Sequence, residues 1–299
     1  MLKQWLCLFY FNLSFLFTGR MRQRLITLSI KMMPTISPAF VRSHLLEPPL
    51  ETELADRALA FLLLRAARVS QARDRAGPKD PFINQIIEDW ADSRAQLFQD
   101  AWVVSEFRGK RNGYFVEFGA TDGLEKSNTY LLESKYGWTG ILAEPNPDWH
   151  KSLESNRPGA TIVRDCVWIE TGKTLQFQIS GNAELAGIAK STQNDLHSRN
   201  ILKTISVNTI SLYDLLCLNN APTHIDFLSI DTEGSELEIL AAYPFAEAPK
   251  IRLIAVEHNF LTEKLAALDA LLEPLGYRRV YAKYSAFDAW YVLQEEAQP

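Results

Sequence analysis

The chain has 299 residues, room for one large or two ordinary domains, and its 47% hydrophobic and 22% charged content is that of a soluble globular protein. A formal net charge of -5 and a pI near 5.6 offer no basic surface for nucleic acid. Cys7, Cys166 and Cys217 are scattered with no C-x-x-C, which argues against a disulfide framework or a cysteine zinc site. That usage suits a reducing compartment, so a cytoplasmic location is expected.

The N-terminus departs from this picture. Trp5 to Phe17 is almost unbroken apolar sequence, with Lys3 before it and Arg20, Arg22 and Arg24 behind. The run falls short of the roughly 20 residues of a membrane helix. It has the length of a secretory apolar core, but arginines follow rather than a small-residue cleavage site. A third reading is an over-extended start, because Met21 opens an ordinary polar segment. Membrane contact is expected only if the segment is retained, and in each reading it lies outside the fold.

Residues 25–50 hold Pro34, Pro38, Pro48 and Pro49 without a sustained period, so residues 1–50 are expected to be an apolar segment and a poorly ordered lead-in. Residues 51–110 read as a helical extension. Leu54, Ala58, Phe61 and Leu62 share one face of a helix over Glu51 to Ser70, which Gly77–Pro81 stops. Ile83, Ile86, Ile87, Trp90 and Leu97 predict a second helix running past Ala101 toward a third near Val104.

From Arg111 the pattern alternates strand and helix, defining a domain over 111–296. Strands are expected at Tyr114–Phe118, Thr139–Ala143, Ala160–Trp168, Leu175–Ile179, Ile205–Thr209, Ile225–Ile230, Ile251–Val256 and Ala289–Leu293. Helices are expected at Ser127–Tyr136, after Pro147, at Leu212–Leu218, from Ser235 and at Leu261–Leu272, with Ser180–Asn200 a polar loop over a site. Repeated units of this kind build a mostly parallel α/β sheet covered by helices.

In such sheets ligands bind outside the carboxyl ends of the strands. Tyr114–Phe118 breaks into Gly119-Ala-Thr-Asp-Gly123, a turn that lets backbone N–H groups approach a ligand closely. Glu144 follows the second strand, where a carboxylate can accept both hydroxyls of a ribose or favour the next helix's positive end. Asp231 to Glu236 places three acids in six residues, which repel one another unless a cation, donors or a substrate shares them. Capping of the following helix is the plainer reading of that cluster. Glu257 and His258 end the next strand, and His258 is a candidate proton acceptor near neutral pH.

Y-F-V-E-F-G-A-T-D-G, S-N-T-Y-L-L-E and W-T-G-I-L-A-E-P-N-P, followed by S-V-N-T-I-S-L-Y-D-L-L, I-D-F-L-S-I-D-T-E-G-S-E-L-E-I-L and I-A-V-E-H-N, resemble the FkbM-type methyltransferases from Phe98 to Leu293. The resemblance implies a Rossmann-like class I sheet, mostly parallel with an antiparallel last strand, that binds S-adenosylmethionine. It implies methyl transfer, typically to an oxygen of a sugar or secondary metabolite, with a small-molecule or glycan acceptor. It puts Glu117, Gly119 and Gly123 in the cofactor loop with Asp122 beside them, Glu144 on the ribose, and Asp165 near the adenine, with Cys166 and Val167 as alternatives. Asp231, Glu233 and Gly234 fall on the family's acidic signature, and Gln99 and Asp100 on its lead-in. Thr121 stands where many members have Asn.

The expected chemistry has Asp231 or His258 taking the acceptor's proton while Glu233 and Glu257 orient the site. Magnesium bridging Asp231, Glu233 and Glu257 is a secondary reading, and the favoured one has no metal. Two other classes stay open: a nicotinamide-dependent oxidoreductase, against which the loop lacks G-x-G-x-x-G, and a non-catalytic binding module, against which D-T-E-G-S-E is intact.

Overall fold

The computed structural model describes residues 81–89, 92–180, 187–188, 201–282 and 284–294. The chain divides into two units, Met1–Trp90 and Ala91–Pro299. Of the first unit only helix α1 (Pro81–Asp89) is described; the expected helix over Glu51 to Ser70 and the apolar N-terminal run lie outside the described residues. Among the described residues no helix is long and apolar enough to cross a membrane.

The second unit opens with helix α2 (Gln99–Glu106). Phe98 before it is left-handed, with φ of 61°, so the continuous helix expected past Ala101 is instead a new one. Strand β1 (Tyr114–Phe118), helix α3 (Tyr130–Ser134), strand β2 (Thr139–Ala143), helix α4 (Pro147–Asn156) and strand β3 (Thr161–Val163) follow. Pro147 stands at the start of α4, and the Asn146 side chain caps it by accepting from the Asp148 N–H at 3.1 Å. Next come β4 (Cys166–Trp168), β5 (Thr174–Ser180), β6 (Gly187–Ile188) and β7 (Ile201–Ser211), then helix α5 (Leu212–Leu218). The chain continues through β8 (His224–Ile230), α6 (Glu236–Ala241), β9 (Lys250–Glu257), α7 (Thr262–Leu272), β10 (Tyr277–Val280) and β11 (Asp288–Leu293).

Two sheets result. The larger has seven strands in the order β10-β11-β9-β8-β1-β2-β3. All neighbours from β9 to β3 run parallel, while β11 is antiparallel to both β9 and β10. The second sheet has the order β4-β7-β5-β6. The single strand expected over Ala160 to Trp168 is therefore two strands in different sheets, because the polar pair Arg164-Asp165 interrupts the apolar run where the chain crosses over.

Alternation along β1 and β8 assigns the faces of the large sheet. Val116, Phe118, Leu228 and Ile230 join the core that includes Leu215, Ile239, Leu240 and Leu268 of α5, α6 and α7. Phe227 points the other way, and the Trp102 ring of α2 meets it edge-on at 6.1 Å and stacks on Trp290 of β11 at 4.9 Å. Trp102 and Trp290 are fully buried, so this stack locks α2 against the sheet. Trp102→Ala is expected to cost about 3–5 kcal/mol of stability, read as a lowered midpoint in urea unfolding.

Candidate active site

A cavity of about 340 Å³ opens at the carboxyl edge of the large sheet, lined from β1, β2, β8 and β9, from the first residue of β11, and from Phe177 and Ile188 of the second sheet. Its near wall is the loop after β1. Glu117, buried at the end of that strand, accepts from the Asn128 N–H at 2.7 Å and the Ser127 hydroxyl at 3.0 Å, and also from the Thr129 hydroxyl. Arg157, just past α4, lies behind the same residues. Its guanidinium donates to the Gly123 carbonyl at 3.1 Å, to Ser127 Oγ at 3.0 Å, to Thr129 Oγ1 at 2.9 Å and to Glu133 Oε2 at 2.7 Å. Glu117 and Arg157 thus share the Ser127 and Thr129 hydroxyls, with 3.8 Å between Arg157 Nη1 and Glu117 Oε2.

Gly119 lies at φ of 70° with a backbone so close to β8 that a Cβ would sit 2.1 Å from the Asp231 carbonyl oxygen. Glu144 extends the same wall from the end of β2. Its Oε2 accepts from the Thr121 N–H at 2.9 Å and its Oε1 from the Asn146 N–H at 2.7 Å. Burial pushes its carboxyl up to about 7, against the lowering effect of those two backbone bonds. Each oxygen retains acceptor capacity. Asn128 Oδ1, also at the cavity, is buried with no hydrogen-bond partner, while its amide donates to Ser229 Oγ at 2.9 Å.

The far wall is acidic. Glu236 receives the Thr232 and Gly234 N–H groups on Oε1 at 2.9 and 3.0 Å, and its Oε2 pairs with Lys264 Nζ of α7 at 2.6 Å. Burial works against the Lys264 ammonium, but Glu236, Glu257 and Asp231 outweigh it and raise its pKa. Asp231 Oδ1 and Glu257 Oε2 are buried without a hydrogen-bond partner. Burial, then the Glu236 charge, pushes Asp231 up to about 7; burial, then Asp231, pushes Glu257 up to about 11. Asp288, raised to about 6 by burial, accepts from Gln99 Nε2 at 2.8 Å and stands in register with Glu257.

The cavity draws together Glu117, Gly119, Glu144, Asp231, Glu233 and Glu257 of the residues singled out in the sequence. Four others are placed elsewhere. Asp122 turns its carboxylate back onto the Leu124 and Glu125 N–H groups at 2.8 and 2.9 Å. Gly123, at φ of 74°, serves packing, since a Cβ would meet Leu153 at 2.5 Å and Arg157 at 2.6 Å. Asp165 does not line the cavity; Cys166 and Val167 do. His258 does not line it either: its buried ring meets Phe260 edge-on at 6.4 Å, and burial lowers its pKa. Gln99 of the lead-in lines the cavity, whereas Asp100 holds the Ser93 hydroxyl at 2.8 Å.

Several cavity residues escape a search for acids at strand ends. Asp288 begins its strand, but β11 runs antiparallel, so its first residue lies where the parallel strands finish. Asn128 sits in the block S-N-T-Y, and its placement depends on the Glu117 bond to its N–H. Phe177 and Ile188 come from a sheet whose position no local pattern reveals.

A seven-stranded sheet in this order, parallel except for an inserted antiparallel strand, with a ligand-sized cavity at its carboxyl edge, defines a Rossmann-like class I methyltransferase fold. Residues 117–279 match the family model described as the methyltransferase FkbM domain, and the chain belongs to that family. No curated protein sequence matches. Among solved structures, the METTL16 MTase domain is similar at 13% identity and a TM-score of 0.40 over 82% of each chain. A human methyltransferase 10 domain containing protein is similar at 13% and 0.39, over 82% of this chain and 96% of that one. Precorrin-6y C5,15-methyltransferase from Geobacter metallireducens is similar at 14% and 0.36, over 65% and 88%. Membership in the family rests on the match over residues 117–279.

The family's cofactor is S-adenosylmethionine, and the donor set suits it. An unpartnered Asn128 oxygen, two Glu144 oxygens with spare capacity and a glycine where a Cβ has no room make an acceptor-rich cradle for a ligand bearing an ammonium and two ribose hydroxyls. Arg157→Met would leave Glu117 and Glu133 without their cation, so a loss of about 3–5 kcal/mol in urea unfolding is expected.

Proposed function

We propose that the chain is an S-adenosylmethionine-dependent O-methyltransferase acting on a neutral hydroxyl of a sugar or secondary metabolite. The observation that carries this is the pair of carboxylates across one cavity: Glu144 on the loop side, and Asp231 with a free buried oxygen on the other. When bound, the cofactor supplies an electrophilic methyl group on a sulfonium. In this reading Glu144 holds the ribose hydroxyls, Asn128 Oδ1 the ammonium, and Cys166 and Val167 the adenine face. The Asp231 carboxylate aligns the acceptor's hydroxyl and takes its proton, the task a displacement from a neutral alcohol requires. Glu233 and Glu257 border the same space and orient the acceptor. Phe260, 64% exposed, and Phe287 add aromatic faces at the cavity on which a sugar ring can lie. His258 is not used, because it does not line the cavity.

Two outcomes test this. S-adenosylhomocysteine binding to the full chain should strengthen as pH rises. Glu144 is half-protonated near pH 7 in the free protein, and hydroxyl donors need it ionised. Affinity should therefore climb by up to about tenfold per pH unit below that point and level off above it. Calorimetry from pH 6 to 8 reads this, and Glu144→Gln should both weaken binding and flatten the profile; a flat wild-type profile would remove Glu144 from the ribose. In turnover on a panel of sugar and metabolite hydroxyls, Asp231→Asn should lower kcat by about 10²–10⁴-fold while S-adenosylhomocysteine still binds. Undiminished turnover in that variant would reassign the base.

A further inference from the structure

We propose that Asp231 and Glu257, backed by Glu236, form a binding site for one hard divalent cation, magnesium or manganese, in the acidic wall of the cavity. Ligand oxygens of Asp231, Glu236 and Glu257 all lie within 4.8 Å of one another, the spacing one ion can bridge. Proximity of acids alone would not identify a ligand. The second observation is that Asp231 Oδ1 and Glu257 Oε2 are buried with no hydrogen-bond partner, on residues that line the cavity, with Glu257 only 9% exposed. Buried carboxylate oxygens without donors are costly unless a positive charge meets them.

Among the described residues, Lys264 meets this cluster at Glu236, 2.6 Å away, and leaves the Asp231 and Glu257 oxygens to another cation. Hard carboxylate oxygens suit a divalent ion of the magnesium type. Glu236 already receives two backbone N–H groups and Lys264, so its role is to hold the loop that carries Asp231 while facing the ion from behind. Asp231 and Glu257 are then the principal ligands. Two carboxylates, with water and substrate oxygens completing the shell, is how magnesium is commonly held. Glu233 lines the same cavity but does not belong to the cluster, so the bridging trio differs from the one the sequence suggested.

For the acceptor chemistry proposed above, on which only the purpose of the site rests, such an ion would make a bound hydroxyl more acidic. A carboxylate has two oxygens, so Asp231 can hold the ion through one and receive the proton on the other.

Manganese titrated into the full chain, without cofactor or acceptor and followed by electron paramagnetic resonance, should show one site per chain with Kd below about 1 mM. Magnesium should compete for it. Asp231→Asn and Glu257→Gln should each weaken binding by at least about tenfold, comparable to losing a ligand, while Glu233→Gln retains it. Should either variant fail to fold, the wild type still decides: bound manganese should broaden the amide resonances of Thr232, Gly234 and His258 before those elsewhere. No manganese binding by folded wild type, or broadening centred on another surface, would overturn the site. S-adenosylhomocysteine binding measured alongside keeps the two readings separate, since loss of the cofactor alone strikes the proposed function and loss of the ion alone strikes only this site.

Discussion

The carboxylate of Glu117 is the constraint on which the cavity depends. A strand that stops at the middle of a parallel sheet leaves the chain free to leave in many directions. Here the last turn of β1 grips the chain ten to twelve residues later, at Ser127, Asn128 and Thr129, and closes the intervening segment into a loop. Arg157 secures the loop from the outside, with its guanidinium 5.2 Å from the centre of the Phe115 ring. Arg157 does not line the cavity, and Glu117 does so with its carboxylate committed to the loop, so both act by shaping what others present. Glu144 then ties the loop to the second strand through the Thr121 N–H, and the wall becomes one hydrogen-bonded piece.

On the opposite side the same logic works with weaker closure. Glu236 fixes the turn after β8 much as Glu117 fixes the turn after β1, and Lys264 plays the part of Arg157. Glu233 lies in the left-handed region at φ of 60°, and so do Thr121, Lys126, Asn259 and Phe260 around the cavity. Non-glycine residues adopt that conformation at a cost of order 1–3 kcal/mol, and they gather at ligand sites when the surrounding bonds over-determine the backbone. Glu117 holds Ser127 beside Lys126, Glu236 holds the residues on either side of Glu233, and Glu144 holds Thr121 itself.

The fold was legible because its signals are local. Tyr114–Phe118 and Thr139–Ala143 are short apolar runs with sharp ends, and Leu212–Leu218 has helical spacing behind the Ser211 cap, so their observed limits agree with the expected ones. Ala160–Trp168 was not legible, since a strand that changes sheets keeps its β character while its partners change. Within the site, acids at the ends of parallel strands could be read from position alone. Direction could not. Asp122 and Glu117 look alike in sequence, yet one bends back to its own turn and the other spans the loop, a difference set by where the acceptor oxygens find N–H groups. Asp288 was hidden by the reversed direction of its strand, and His258 looked available only because its facing neighbours, Phe260 and the start of β11, are far along the chain or carry no polar signal.

The second sheet divides the labour of the molecule in a way that bears on its evolution. The loop wall that faces the ribose is built onto the central strands, where Gly119 and Gly140 leave no room for a Cβ and nearly any change propagates. Phe177 and Ile188 instead reach the cavity from a separate four-stranded sheet with its own small core of Cys166, Phe177, Ile179, Ile188 and Val207. Substitutions at Phe177 and Ile188 can drift without disturbing the loop that Glu117 and Arg157 hold. A lineage built on this plan can therefore diversify what it modifies while inheriting unchanged the machinery that does the modifying.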